Sequence, residues 1–395
     1  MKTSQPLEDD RWELPVSARR MVGLPGPANP GLADHLARVD QALGDTMSDL
    51  AKLWDQELDD GGHLDVLTDH DVPAYIAQLL GTGGKRIRPA MCYLGWVSAR
   101  GASRNTGQND PAQNDPSHND VVTVGAALEL LHVFALIHDD VMDESASRRG
   151  LPSVHVQAAD LHRRSHAHGS AERFGDSIAM LAGDLAHAEA DQLAAELPVE
   201  MRRIWRILVV ELVCGQRRDL TGSAAGRRDL GHARQVARMK SGSYTVERPL
   251  QLGAAAAQGA PDARERLAVY GREVGEAFAL RDDLLGVWGD PRLTGKPAGD
   301  DLISGKPTVI LSLAQQRVDG PVRALMDRVG SPELSPRDVF DLQEALRDCG
   351  VVDAVEDMIS AHLDTALGAL DADVLHPDGI AGLTQMAHQI AWRDR

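Results

Sequence analysis

The sequence predicts an all-α protein. Ala and Leu, both strong helix formers, dominate an apolar content of 43 %, while aromatic residues make up only 4 %. Runs of β-branched and aromatic residues of the kind that build strands are scarce. Long segments place apolar residues three and four apart, the spacing of a helix face.

Along the chain, residues 1–30 are rich in Pro, Gly and charge and are expected to form a flexible extension. A helical pattern starts near Gly31 and runs through LADHLARVDQALGDTMSDLAKLWDQEL. Pro73 suits the first turn of a second helix, PAYIAQLL, which Gly81 ends. Residues 101–120 are polar, with Asn, Asp, Gly and Pro throughout, and are expected to be a long mobile loop. The segment VVTVGAALELLHVFALIHDDVMDE follows as a long helix with Val124, Leu128, Leu131 and Ala135 in register. A His- and Arg-rich insert at 157–173 is expected to be an exposed loop, since its histidines show no metal-ligand spacing. Further helices are expected at 175–197, 200–218, 229–257, 261–287, 307–319, 337–347 and 351–371. A chain of 395 residues can form one large domain, and the expectation is a single one over 31–395.

Composition narrows the function. A net charge of −18 gives no global attraction for nucleic acid or anionic lipid, so anionic substrates would need local basic clusters or cations. Cys92, Cys214 and Cys349 are scattered and odd in number, as expected of reduced thiols in a cytoplasmic protein. The N-terminal residues have no apolar signal core, no run of about 18 apolar residues stands out, and no stable membrane insertion is expected.

Four constellations carry chemistry. Asp139, Asp140 and Asp143 end the long apolar helix, with Asp139 and Asp143 on one face. Two such carboxylates repel unless a cation lies between them, and acids oppose the dipole at a helix C-terminus. A cluster so unfavourable for stability points to function. Asp282 and Asp283 form a second acidic pair after another apolar lead-in. Two pairs across one cavity would hold several magnesium ions around a diphosphate. The third element is GTGGKRIRPA, where two glycines allow close backbone approach and Lys85, Arg86 and Arg88 concentrate charge. Its spacing is not that of a P-loop. The fourth is Arg148 with Arg149, a pair suited to bidentate phosphate contacts. Beyond these, Lys240 stands out, and Lys296 and Lys306 flank the Gly-rich GKPAGDDLISGKPT.

GGKRIRP, LLHVFALIHDDVMDESASRRG and FALRDDLLGVWGDPRLTGKPAGDDLISGKPT, in this order and spacing, resemble the trans-prenyl diphosphate synthases, also called polyprenyl synthetases. The resemblance runs from about Asp34 to the C-terminus. It implies a bundle of long helices around a deep central cavity, as a homodimer. It implies two or three magnesium ions, with manganese a possible substitute, and isopentenyl diphosphate plus an allylic diphosphate (dimethylallyl, geranyl or farnesyl) as substrates. Asp139, Asp143 and Asp282 match metal ligands, with Asp140 and Asp283 beside them. Arg148, Lys240 and Lys296 match groups that hold the allylic diphosphate. Lys85, Arg88, His132 and Arg149 match the isopentenyl diphosphate site. Phe134 and Ala135 match positions that set the cavity floor, in the pattern of short-chain synthases making the twenty-carbon geranylgeranyl product, with the fifteen-carbon farnesyl product as the alternative.

Two positions depart from the family pattern. The second cluster usually reads Asp-Asp-x-x-Asp, but here Gly286 takes the last place, and Ala279 replaces a Gln common three residues before it. Two other readings stay open: a terpene cyclase or diphosphate lyase on the same architecture, and a weakly active partner subunit of a heteromeric synthase. Lys85, Arg88 and His132 argue against the first, and retention of both clusters against the second.

Overall fold

The computed structural model describes residues 30–57, 71–101, 115–290 and 298–393. The extension at 1–29, residues 102–114 of the expected loop, and Lys296 lie outside the described residues. Among the described residues the secondary structure is helical except for one hairpin, β1 (Ser147–Arg148) paired antiparallel with β2 (Leu151–Pro152). The all-α expectation holds. The described residues fall into two compact units: one holds Ala33–Arg86 and Val122–Glu196, and the other Ile87–Val121 and Leu197–Arg395.

The first unit contains α1 (Pro30–Glu57, from Ala33 on), α2 (Val72–Gly81), α4 (Pro116–Met142, from Val122 on), the hairpin, α5 (Val154–Arg164) and α6 (Ala171–Ala195). Asp71 caps α2, its carboxylate accepting from the Val72 N–H, and Pro73 sits in the first turn. Leu128, Leu130 and Leu131 of α4 are fully buried. The buried face of α6 is Gly175, Ala179, Ala182, Gly183, Ala186 and Ala190, so small that neighbouring helices approach closely.

Two expectations are corrected here. Helix α4 begins at Pro116, so residues 116–120 are helix rather than loop. Asp115 accepts from the Ser117 N–H and hydroxyl, which starts the helix before the apolar run. The insert at 157–173 is a largely exposed loop only over residues 165–170. It continues α5, which Ser153 precedes in extended backbone, and it opens α6, where Ser170 accepts from the Arg173 N–H. Val154, Ala158 and Leu161 repeat at helical spacing and are buried, which outweighs the polar composition. His162, Arg163 and Arg164 fall in the last turn, where cations suit the dipole.

Helix α4 is also long and apolar enough to cross a membrane, contrary to the expectation that no such run occurs; 67 % of its apolar stretch is buried inside the fold, as in a core helix.

The second unit is built on α3 (Ile87–Ala99), α7 (Val199–Ala224), α8 (Leu230–Val236), a π-helix (Ala237–Glu247), α9 (Arg248–Ala256) and α10 (Pro261–Trp288). Shorter helices follow: α11 (Asp300–Ile303), α12 (Val309–Ala314), α13 (Gly320–Met326), α14 (Pro336–Asp348), α15 (Val351–Gly368) and α16 (Pro377–Ala391). Helices α3 and α9 cross backbone to backbone, since a Cβ on Gly253 would overlap the Cys92 carbonyl. The expected helix at 229–257 is present, but its middle is wound as a π-helix that carries Lys240. Pro249, with no N–H to donate, follows directly. Helix α16 was not expected: Gly379 and Gly382 interrupt its periodicity, yet Leu383, Met386 and Ile390 are buried.

Candidate active site

In the first unit, the aspartates sit where α4 runs out. Asp143 N–H still donates to the Asp139 carbonyl at 2.8 Å, so Asp139 and Asp143 remain one turn apart. Asp140 points inward, 2 % exposed, and accepts a hydrogen bond from Arg148 Nε at 2.9 Å and a second from its terminal nitrogen. The Arg148 guanidinium also lies 3.6 Å from Asp139. Burial works against the Arg148 charge, but the hydrogen bond and charge of Asp140, then Asp139 and Asp143, outweigh it and raise its pKa.

The hairpin aims the two arginines. Its turn residues, Arg149 and Gly150, have φ of 53° and 78°, the pair of positive angles that matches a two-residue turn to strand twist. Arg149 holds its positive φ without being glycine, at a cost in backbone energy. Its guanidinium donates to the Leu79 carbonyl at 3.1 Å and lies against Gly84, where a Cβ would be 3.3 Å away. The glycine-rich turn and Arg149 are therefore one structure, with Lys85 exposed beside them. Arg86, also at positive φ (47°), faces away into ion pairs with Asp40 at 3.0 Å and with Glu129.

Farther up α4, His132 is partly exposed. Phe134 stacks on His187 of α6, with ring centroids 4.6 Å apart, and meets His138 edge-on at 4.7 Å. Ala135 beside it is half-buried.

In the second unit, Asp282 and Asp283 lie on α10 and part in character. Asp283 is half-buried and accepts from the Val309 N–H at the start of α12 at 3.0 Å. Burial, then the charge of Asp301, pushes its carboxyl well above the usual range despite that bond, and Asp282 and Asp219 add to the effect. Asp282 is more open and pairs with Arg393 at 2.9 Å. Arg393 in turn rests on the Phe278 ring, 3.9 Å from its centroid. Lys240 donates to Asp219 of α7 at 2.6 Å, and Lys306 lies 3.7 Å from Asp301. Arg88 is buried, donates to Thr245 Oγ1 at 3.0 Å, and lies over the Tyr244 ring at 4.0 Å.

Sequence reasoning missed Asp219, Asp301, Arg393 and His187. Asp301 lies in the Gly-rich segment that drew attention to Lys306, so its signal was present. The others become visible only through long-range packing.

Within each unit the donors are oxygen-only, Asp139 and Asp143 in the first and Asp282 and Asp301 in the second, and each pair suits a hard cation such as magnesium; the crowding of negative charge at Asp283 is what such a cation would relieve. Among the described residues no three His, Cys, Asp or Glu side chains are arranged as a ready metal cage.

The family model for polyprenyl synthetase matches residues 71–346. The chain belongs to the polyprenyl synthetase family. It is a prenyl-transferring enzyme. It is 29 % identical to geranylfarnesyl diphosphate synthase of Aeropyrum pernix, over 73 % of this chain and 83 % of that protein. It is 31 % identical to (2E,6E)-farnesyl diphosphate synthase of Mycobacterium bovis, over 68 % of this chain and 67 % of that one. Among solved structures it is similar to geranylgeranyl pyrophosphate synthase from Corynebacterium glutamicum, complexed with isoprenyl diphosphate and magnesium. That match has a TM-score of 0.78 and 34 % identity, and it covers 90 % of this chain and 99 % of the other.

Proposed function

We propose that this polyprenyl synthetase condenses isopentenyl diphosphate with an allylic diphosphate to give a short-chain, all-trans prenyl diphosphate, the twenty-carbon one. The observation that carries the reading is the pairing of each acidic cluster with its own cations: Arg148 beside Asp139 and Asp140, and Lys240, Lys306 and Arg393 beside Asp219, Asp301 and Asp282. Such sites bind a polyanion and stabilise charge that grows as diphosphate leaves. We assign Arg148, Lys240 and Lys296 to the allylic diphosphate, and Lys85, Arg88, His132 and Arg149 to isopentenyl diphosphate, with Lys306 supporting the second cluster. Asp139, Asp143 and Asp282 would hold two or three magnesium ions, or manganese in their place. When bound, these ions neutralise the diphosphate leaving group. The chain's own work is to fix both substrates, hold Arg148 charged, and exclude water from the reacting carbons through buried helix faces.

The two compact units act together as one catalytic domain in this reading. Homodimerisation is supported by exposed apolar side chains at helical spacing on α7, Ile207, Val210 and Val213, and by Met180 and Leu181 on α6. We place the enzyme in the cytoplasm.

The test uses purified protein, magnesium, labelled isopentenyl diphosphate and each allylic primer in turn, with products sized by chromatography. A twenty-carbon diphosphate formed only when both substrates are present is expected. Consumption of an allylic diphosphate alone would instead identify a cyclase. In the same assay Arg88→Ala and His132→Ala raise KM for isopentenyl diphosphate, while Lys240→Ala and Lys296→Ala act on the allylic partner.

A further inference from the structure

Within the first unit, α4 and α6 meet through two short rows. Phe134 and His138 stand one turn apart on α4, and Gly183 and His187 one turn apart on α6. Phe134 stacks on His187, with ring centroids 4.6 Å apart, and His138 lies over Gly183. The order reverses between the rows, so the two helices run antiparallel at this contact. A Cβ on Gly183 would lie 2.2 Å from both Cδ2 and Nε2 of the His138 ring, far inside van der Waals contact. The imidazole therefore fills the notch that the glycine leaves in α6. Its Nε2 donates to the Met180 carbonyl at 3.1 Å; the carbonyl can only accept, so the proton sits on Nε2. The same nitrogen lies 3.8 Å from the exposed carboxylate of Asp184, and Phe134 meets the ring edge-on at 4.7 Å. A slip of the helices by one turn would set His138 against His187 and lose the fit.

His138 immediately precedes the first aspartate. The last carbonyls of a helix lack partners within it, so a final turn frays unless something holds it. The final turn of α4 is held on two sides. Successive residues turn by about 100° around a helix, so His138 and Asp140 leave on nearly opposite faces with Asp139 between them. Asp140 is tied to Arg148 of the hairpin at 2.9 Å, and His138 to α6. Asp143 returns to the face of Asp139 one turn later. Resting on the function proposed above, we propose that His138 is a positioning residue for the first aspartate cluster. Keyed into Gly183, it fixes the register of α4 against α6 and so sets where Asp139 and Asp143 present their carboxylates to the divalent cation of the allylic diphosphate. Gly183 is the other half of the device, since a larger residue there expels the ring.

The test is Mn2+ uptake by the purified full-length chain in the presence of inorganic pyrophosphate, followed by the electron paramagnetic resonance signal of free Mn2+. KM for each substrate and thermal unfolding are recorded in parallel. His138→Leu removes the donor, and Gly183→Ala displaces the ring. Each is expected to weaken Mn2+ uptake about ten-fold, as loss of a group that orients metal ligands does. Each should also raise KM for the allylic diphosphate several-fold, while KM for isopentenyl diphosphate and Tm stay close to wild type. His138→Gln carries an N–H at nearly the same reach and is expected to restore uptake. The two residues act through one contact, so His138→Ala/Gly183→Ala is expected to be no worse than His138→Ala alone. Wild-type uptake in His138→Leu, or a double variant whose losses add, overturns the proposal. If His138→Leu proves unfolded, His138→Gln decides: regained Tm with regained uptake supports the proposal, and regained Tm without it overturns it. Failure of the functional reading looks different: wild-type protein would then take up no Mn2+ with pyrophosphate, or Asp139→Ala would bind as wild type, and the role of His138 would fall with it.

Discussion

Arg148 donates from Nε to Oδ1 of Asp140 at 2.9 Å, and both side chains are nearly removed from solvent. Asp140 thus belongs to the aspartate cluster in sequence and to the arginine in space. It leaves Asp139 and Asp143 one turn apart at the end of α4 and fixes a guanidinium beside them. Asp140 is a positioning residue for Arg148.

Removing one member of a buried pair leaves the other charge without compensation, which costs about 3–5 kcal/mol. Asp140→Ala is expected to lose that much stability in chemical denaturation. Asp140→Asn keeps an acceptor oxygen, so it loses less stability and instead raises KM for the allylic diphosphate several-fold. A KM unchanged in Asp140→Asn would show that Arg148 needs no such alignment.

Metal dependence separates the two clusters from ordinary structural acids. Activity should vanish in chelator and return with Mg2+ or Mn2+. Asp139→Ala and Asp282→Ala should each lower kcat by about 10²-fold or more. Asp282 is 57 % exposed at its side chain, so its loss should leave Tm and the helical circular dichroism almost unchanged. Near wild-type turnover in either variant would remove these residues from the metal site.

Much of this was legible in the sequence because helices declare themselves locally. The extents of α1, α2, α10, α14 and α15 follow from periodicity, Pro in the first turn, and capping residues such as Ser335, whereas α6 starts at Ala171, before the expected 175, and α7 runs on to Ala224, beyond the expected 218. The aspartate clusters and basic residues were legible as motifs for the same reason. What escaped needs three dimensions. The polar composition of 157–173 hid a buried Val154–Ala158–Leu161 face, and the glycines of α16 hid another. The packing of Asp301 against Gly286, fifteen positions before it, and the pairing of Asp282 with Arg393 leave no trace in local pattern.

Thiol reactivity checks the packing of the second unit. Cys92 is fully buried in α3, and burial pushes its thiol far up in pKa. Cys214 is exposed and Cys349 intermediate. Native protein treated with a thiol-reactive chromogenic disulfide should label Cys349, should label Cys214 only as fast as a dimer formed on this face of α7 opens, and should label Cys92 only after denaturant. Rapid labelling of all three would mean that the α3–α9 crossing opens readily.

Chain length is the most specific outcome at stake. Phe134 lies five residues before Asp139, about 7–8 Å along α4 at 1.5 Å per residue. Its ring is not loose: it stacks on His187 and meets His138 edge-on, so α6 braces it. A braced ring makes a firm floor, because a tail pressing on it must also displace His187. Phe134→Ala removes the ring and should shift products to twenty-five carbons or more. Ala135→Phe adds bulk at the adjoining half-buried position and should shorten them towards fifteen. The brace adds a third expectation. His187→Ala leaves Phe134 in place but frees it to turn aside, so products should spread over twenty and twenty-five carbons rather than move cleanly to the longer one. Chromatographic sizing of dephosphorylated products distinguishes the three. If none of the variants alters the distribution, the floor is not built from α4 and α6, and Phe134 is a packing residue of the first unit.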